Sequence, residues 1–248
     1  MTKAEIQFVR SLADKRVRDE ERLFIAEGDK LISEILASGW KIRHLYALEG
    51  HFEGHAEQVS AKDMERISQL KTAPSSLAIV EQPRYKTPAS ASAERLALAL
   101  DGVQNPGNLG TIIRLADWFG SEDIYCSPDT ADCFNPKVVQ ATMGAILRVR
   151  VHYLQLADFL SRTAAADTPV YGTMLDGENI YDAKLSTGGV IVMGNEGKGV
   201  SETCIKSFSR RLLIPTYPAD RQGSESLNVA MATGIVCAEF RRRQSTEK

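Results

Sequence analysis

Three side chains able to hydrogen-bond, Glu225, Ser226 and Asn228, stand at the mouth of a largely apolar segment running to Phe240. Alone, Ser-Leu-Asn is an ordinary helix start, because Ser and Asn side chains satisfy the backbone N–H groups orphaned there. Two upstream segments give it company: Asn105-Pro106-Gly107-Asn108-Leu109-Gly110 with Arg114 beyond it, and Gly194-Asn195-Glu196-Gly197-Lys198-Gly199. The glycines permit tight bends and close approach of backbone to a ligand. Arg114, further along the helix that Asn108 helps to open, could grip a phosphate bidentately, with the helix terminus adding a favourable field. A surface arginine on an exposed helix face is the plainer alternative. Ile214 and Leu227, taken by themselves, read as core.

Two familiar nucleotide sites are excluded. No Gly-x-Gly-x-x-Gly follows a strand, so the dinucleotide fingerprint is absent. Lys198 is followed by Gly199 rather than Ser or Thr, and the glycine spacing is wrong for a phosphate-binding loop.

The elements that position these residues fall into two groups. In the first, helical spacing covers residues 6–12, a short strand 23–26, a helix 29–38 stopped by Gly39, and an alternating strand 42–48. Ser60 with Asp63 opens a helix to residue 70, and residues 77–80 form another strand. A stretch with two prolines and small polar residues then marks a linker. We therefore place an N-terminal α/β domain at 1–82, a linker at 83–93 and a second domain at 94–248. In the second domain strands are expected at 96–100, 123–126, 149–153, 170–174, 190–193 and 212–214. Helices are expected at 109–119 and from Asn135-Pro136 onward. Alternation of this kind implies a mostly parallel sheet with helices on both faces. Ligands bind beyond the carboxyl ends of such strands, where all three segments lie.

Composition sets outer bounds. The 248 residues are 43% hydrophobic and 25% charged, ordinary for a soluble globular protein. No apolar run would span a bilayer and no leader pattern opens the chain, from which a cytoplasmic location is expected. Cys126, Cys133, Cys204 and Cys237 lack metal spacing, and His51 with His55 has no third ligand, so no metal is expected. The net charge of −2 argues against indiscriminate nucleic-acid binding. Two local clusters remain, Lys15, Arg16, Arg18 and Arg22, and Arg241 to Arg243. Each reads as a solvated helix face or as an RNA contact.

The three segments, in this order, resemble the three motifs of the SpoU (TrmH-like) RNA 2′-O-ribose methyltransferases of the SPOUT superfamily, over about residues 96–240. Residues 22–28 and the helix after them resemble that family's small RNA-binding domain. The resemblance implies an α/β fold with a trefoil knot at roughly 188–240, a homodimer through the knotted domains, and S-adenosylmethionine as cofactor. It implies catalytic roles for Asn108, Arg114, Glu196, Ser226 and Asn228, and cofactor contacts at Gly194, Ile214 and Leu227. RNA, ribosomal rather than transfer, is the implied substrate; a non-catalytic RNA-binding or ribosome-assembly protein is the alternative. The family proposal often casts the arginine as base. Holding a guanidinium neutral at pH 7 would cost roughly 7 kcal/mol, at about 1.4 per pH unit, which favours phosphate positioning and alkoxide stabilisation instead. Between Pro215 and Ser226 the chain is a few residues longer than the common form, and Arg221 there could contact RNA.

Overall fold

The computed structural model describes residues 1–218 and 226–246. In chain order the elements are α1 (Lys3–Ser11), α2 (Lys15–Glu21), β1 (Leu23–Glu27), α3 (Asp29–Ser38), β2 (Ile42–Ala47), β3 (Glu57–Gln58), α4 (Ala61–Ile67) and β4 (Ser76–Glu81). Then follow β5 (Leu96–Asp101), α5 (Pro106–Trp118), β6 (Asp123–Cys126), α6 (Pro136–Thr142), β7 (Arg150–Tyr153) and α7 (Leu156–Ala165). The chain ends with β8 (Val170–Asn179), β9 (Gly189–Gly194), α8 (Glu202–Ile205), β10 (Arg210–Leu213) and α9 (Val229–Thr246).

Two compact units result, one of Met1–Arg84 with Asp132–Leu147, the other of Tyr85–Ala131 with Arg148–Lys248. The first holds a sheet of order β1-β4-β2-β3. Although β1 is at its edge, every residue of β1 is buried, because α6 packs on it and Phe134 lies 4.9 Å from Phe24 between ring centroids. Sequence reading assigned residues 132–147 to the second domain; here they complete the core of the first unit. Arg18 secures them. Its guanidinium, 1% exposed, pairs with Asp132 at 2.5 Å and also donates to the carbonyls of Leu12 and Ala13. A charge buried this deeply persists only when paired and hydrogen-bonded. Helix α4 starts at the Ser60 cap as expected but stops at Ile67, not at residue 70. The buried Glu27 carboxylate accepts from Ser68 Oγ and the Gln69 N–H, pulling the backbone out of helical geometry.

The second unit carries a six-stranded sheet of order β10-β8-β9-β5-β6-β7 with every pairing parallel. Residues 96–100 of β5 are all buried, as a strand covered on both faces requires. Ala97 and Ala99 pack with Leu156, Phe159 and Leu160 of α7; by the two-residue strand period Leu96, Leu98 and Leu100 point the other way. Full burial of each leucine contributes roughly 1.5–3 kcal/mol. α5 and α9 pack against each other, and α9 also reaches β9.

The strand expected at 170–174 continues to Asn179. Its register against β10 jumps from Gly172 opposite Arg211 to Glu178 opposite Leu212, so residues 173–177 leave the ladder. Since all strands run parallel, the loops after β5, β6, β9 and β10 emerge at one end of the sheet.

Candidate active site

The first motif is a helix start. Asn105 Oδ1 accepts from the N–H groups of Gly107 (2.9 Å) and Asn108 (3.1 Å), and Pro106 takes the first helical position, where its missing N–H loses nothing. Asn108 therefore sits in the first turn of α5. Arg114, six residues on, is exposed and has no hydrogen-bond or ion-pair partner among the described residues.

The second motif is a closed turn after β9. Asn195 and Gly199 exchange two backbone hydrogen bonds of 2.9 Å. Asn195 Oδ1 accepts from Gly197 and Lys198 N–H, and its Nδ2 donates to Gly102 O at 2.7 Å, tying the turn to the end of β5. A Cβ on Gly194 would overlap the backbone of Gly199 and Val200, so only glycine lets the two limbs close. Glu196 is thereby held at the tip.

The third motif caps α9. Asn228 Oδ1 accepts from Ala230 N–H (3.0 Å) and Met231 N–H (3.3 Å). Its Nδ2 donates to Asn108 Oδ1 at 3.0 Å, and Asn108 Nδ2 donates to Glu196 Oε1 at 2.8 Å. One hydrogen-bonded chain thus joins all three motifs, over sequence separations of 120 and 88 residues.

Beside it opens a cavity of about 510 Å³ whose lining includes Gly194, Glu196, Ile214, Ser226 and Leu227. Five of the eight sequence-predicted site residues therefore meet around one space. Asn108 and Asn228 stand at its mouth through Glu196, while Arg114 lines no part of it. Sequence reading missed Thr173, Met174, Leu175 and Asp176, which the departure from the β8 ladder turns into a wall of the same cavity. The signal available was Asp176-Gly177, a turn dipeptide just beyond the strand expected at 170–174. Glu225 and Arg221 lie outside the described residues. A second cavity, about 620 Å³, opens at the opposite end of β5 and β6. Its Arg95 and Glu122 pair with each other at 3.2 Å, and no motif residue reaches it.

Other candidate groups are accounted for structurally. All four cysteines are buried thiols outside any disulfide; burial pushes Cys204 up to about 11 and Cys237 up to about 12, so neither of these two is a thiolate at neutral pH. Among the described residues no three ligating side chains cluster, and His51 pairs with Asp29 at 2.6 Å. Lys15 and Arg16 pair with Asp19 and Glu20 one turn along α2, and Arg18 is committed to Asp132. Arg241 donates to Phe119 O and Gly120 O, and Arg242 and Arg243 pair with Glu239. Most of both basic clusters is thus engaged within the protein.

The architecture and site are those of an α/β domain that binds its ligand where three loops leave one end of a parallel sheet. Residues 95–238 match the SpoU rRNA Methylase family, and residues 3–84 match the MRM3-like substrate binding domain. A TrmH-family RNA methyltransferase structure from Porphyromonas gingivalis, itself described as putative, is 37% identical with a TM-score of 0.86, covering 98% of this chain and 99% of that one. An S-adenosylmethionine-bound rRNA methyltransferase from Sinorhizobium meliloti is 32% identical with a TM-score of 0.85, covering 98% and 96%. The 23S rRNA (guanosine(2553)-2′-O)-methyltransferase of Bacillus subtilis is 28% identical over 240 residues, covering 94% of each. The chain belongs to the SpoU rRNA Methylase family.

The cavity also fits a nucleoside-bearing cofactor. Its volume falls in the range of small-ligand sites, its glycine-lined turn brings backbone groups close, and Ile214 and Leu227 offer apolar faces.

Proposed function

We propose that this protein methylates a ribose 2′-hydroxyl of RNA, ribosomal RNA in preference to transfer RNA, using S-adenosylmethionine. The observation that carries the reading is the chain Glu196–Asn108–Asn228 at the mouth of a glycine-walled cavity. When bound, the cofactor supplies a sulfonium methyl already activated for attack. Gly194, Ile214 and Leu227 would hold it, the two apolar side chains offering their faces to the adenine. The protein's remaining tasks are to align the hydroxyl and accept its proton. Glu196 Oε1 is occupied by Asn108, which leaves Oε2 to take the hydrogen bond from the 2′-hydroxyl. Ser226 shapes the pocket on the other side. Arg114, without a partner among the described residues, holds an RNA phosphate and stabilises the developing alkoxide.

The unit of residues 1–84 with 132–147 recruits RNA, and the unit of residues 85–131 with 148–248 carries out the transfer. The C-terminal part at about 188–240 is a trefoil knot, a reading supported by β10 lying at the sheet edge while the chain returns to α9 beside β9. The protein works as a homodimer in the cytoplasm; no helix among the described residues is long and apolar enough to cross a membrane.

The test is transfer of labelled methyl groups to an unmodified transcript of bacterial 23S ribosomal RNA, with mass spectrometry of the resulting nucleosides. A 2′-O-methylnucleoside at one position is expected. Binding of S-adenosylmethionine in a calorimeter without any transfer would leave a non-catalytic RNA-binding protein.

A further inference from the structure

Tyr217 stands 91% exposed in the segment leaving β10, with no hydrogen bond or ring contact among the described residues. Four other large exposed side chains in this unit have other settings. Trp118 and Met231 lie on α5 and α9, and Leu175 and Leu227 line the cavity mouth. Tyr217 is on neither. It follows Ile214, a cavity residue, by three positions, so the two Cα atoms lie within roughly 11 Å. Pro215 and Pro218 flank it and fix their own φ angles, which lowers the entropy lost in presenting the ring.

Two cations of the same unit select the partner. Lys198 lines the cavity that Ile214 lines and is exposed, and its ammonium has no partner among the described residues. Arg114 is likewise exposed and unpaired, on the helix whose Asn108 bonds Glu196. A bare aromatic face three residues from the cavity lining, in a unit that also presents cations with no partner among the described residues, suits a polyanion that also carries flat apolar surfaces. Single-stranded nucleic acid is such a polymer, and its bases stack on tyrosine with little regard to sequence. Since a 2′-hydroxyl must reach into a cavity, the target nucleotide has to leave its helix, which leaves neighbouring bases unstacked.

We propose that Tyr217 is a stacking platform for an unpaired RNA base adjoining the methylated nucleotide, with Lys198 on the neighbouring phosphate. The inference rests on the reading of the site as an RNA 2′-O-methyltransferase. Tyr217 touches neither cofactor nor reacting atoms; it positions the strand.

The experiment uses the full chain with S-adenosylhomocysteine and a 12-nucleotide single-stranded RNA carrying 2-aminopurine, whose fluorescence falls on stacking. Wild type and Tyr217→Phe should quench the probe and bind alike. Tyr217→Ala should lose the quenching and bind about 5- to 100-fold more weakly. The dependence of affinity on salt should be unchanged in Tyr217→Ala, whereas Lys198→Gln should lower its slope by about 0.7. With the 23S transcript, Tyr217→Ala should raise KM, leaving kcat and affinity for S-adenosylmethionine as in wild type. Equal quenching and KM in Tyr217→Ala would overturn the stacking role, as would a Tyr217→Phe variant as weak as Tyr217→Ala. Absence of methyl transfer by wild type would instead overturn the reading beneath it.

Discussion

Asn228 Nδ2 donates to Asn108 Oδ1 at 3.0 Å, and that single bond determines how both amides face. Asn228 cannot turn round, because its Oδ1 accepts two N–H groups at the start of α9. Asn108 must therefore present its oxygen to Asn228 and its NH₂ to Glu196. Turning Asn108 over would set NH₂ against NH₂ and oxygen against carboxylate. A helix cap thus orients a carboxylate two motifs away, and Ser-Leu-Asn is both the ordinary cap and part of the site.

Asn228→Asp isolates that coupling. Aspartate caps a helix as well as asparagine does, so α9 should form and Tm should move by no more than about 2 °C. It has no donor, however, and its charge faces an oxygen. Asn108 can satisfy it only by turning its own oxygen toward Glu196. We expect methyl transfer to fall by at least about 10-fold, or roughly 1.4 kcal/mol, with cofactor affinity little changed. Transfer at the wild-type rate, measured at saturating RNA and cofactor, would separate Glu196 from the amide chain.

The three motifs were legible because each is local: a cap, a glycine turn, a second cap. Strand–helix alternation after residue 94 was legible for the same reason, and β5 is buried along residues 96–100 as its apolar run required. What could not be seen depended on distant partners. Residues 132–147 look like any helix following β6, and only the Arg18–Asp132 pair and the Phe24–Phe134 contact send them to the first unit. The register break at residues 173–177 needs β10, more than thirty residues later, to reveal it. Arginine clusters carry the same letters whether they face RNA or, as Arg241 to Arg243 do, carbonyls and a carboxylate of their own unit.

Trp118, 84% exposed, and Met231, 64% exposed, lie on α5 and α9, which pack side by side with Gly234 against Leu115. We propose that the homodimer forms over these helices, where two large apolar side chains stand exposed. The full chain should sediment as a dimer at micromolar concentration, and Trp118→Glu should raise the dissociation constant at least about 100-fold by removing the ring and burying a charge. The full chain is the right material, because removing residues 1–93 would strip α6 of the strand it covers. A wild-type monomer at that concentration would end the dimer hypothesis.

Glu239, 5% exposed, clamps the end of α9. Hydrogen bonds from Arg242 and then Arg243 hold its carboxyl at about 2 against the opposing effect of burial. Arg243 in turn reaches the carbonyls of Ile180, Tyr181 and Ala183. A carboxylate whose pKa is depressed on folding contributes stability above its unfolded value and loses it as pH falls through the folded one. Glu239→Gln should therefore lower Tm at pH 7 by about 4–8 °C, equivalent to roughly 2 kcal/mol. The difference from wild type should shrink between about pH 4.3 and pH 2. A constant difference across that window, followed by circular dichroism, would assign the effect to packing rather than charge.

Arg114 provides the sharpest division between binding and turnover. It lines no part of the cofactor cavity, so Arg114→Lys should leave affinity for S-adenosylmethionine within about threefold by calorimetry. Lysine keeps the charge and loses the planar fork that holds a phosphate in two places, so the rate should fall at least about 100-fold, or roughly 3 kcal/mol of transition-state stabilisation. The pH profile then separates two roles. If the side chain at 114 were the proton acceptor, lysine would be the easier of the two to deprotonate, and activity would recover as pH rises. A positioning role predicts no recovery, because neutral lysine grips phosphate less well than charged lysine does. Near-wild-type turnover by Arg114→Ala would remove both roles and leave the Glu196 carboxylate, which accepts from Asn108, as the next group to replace.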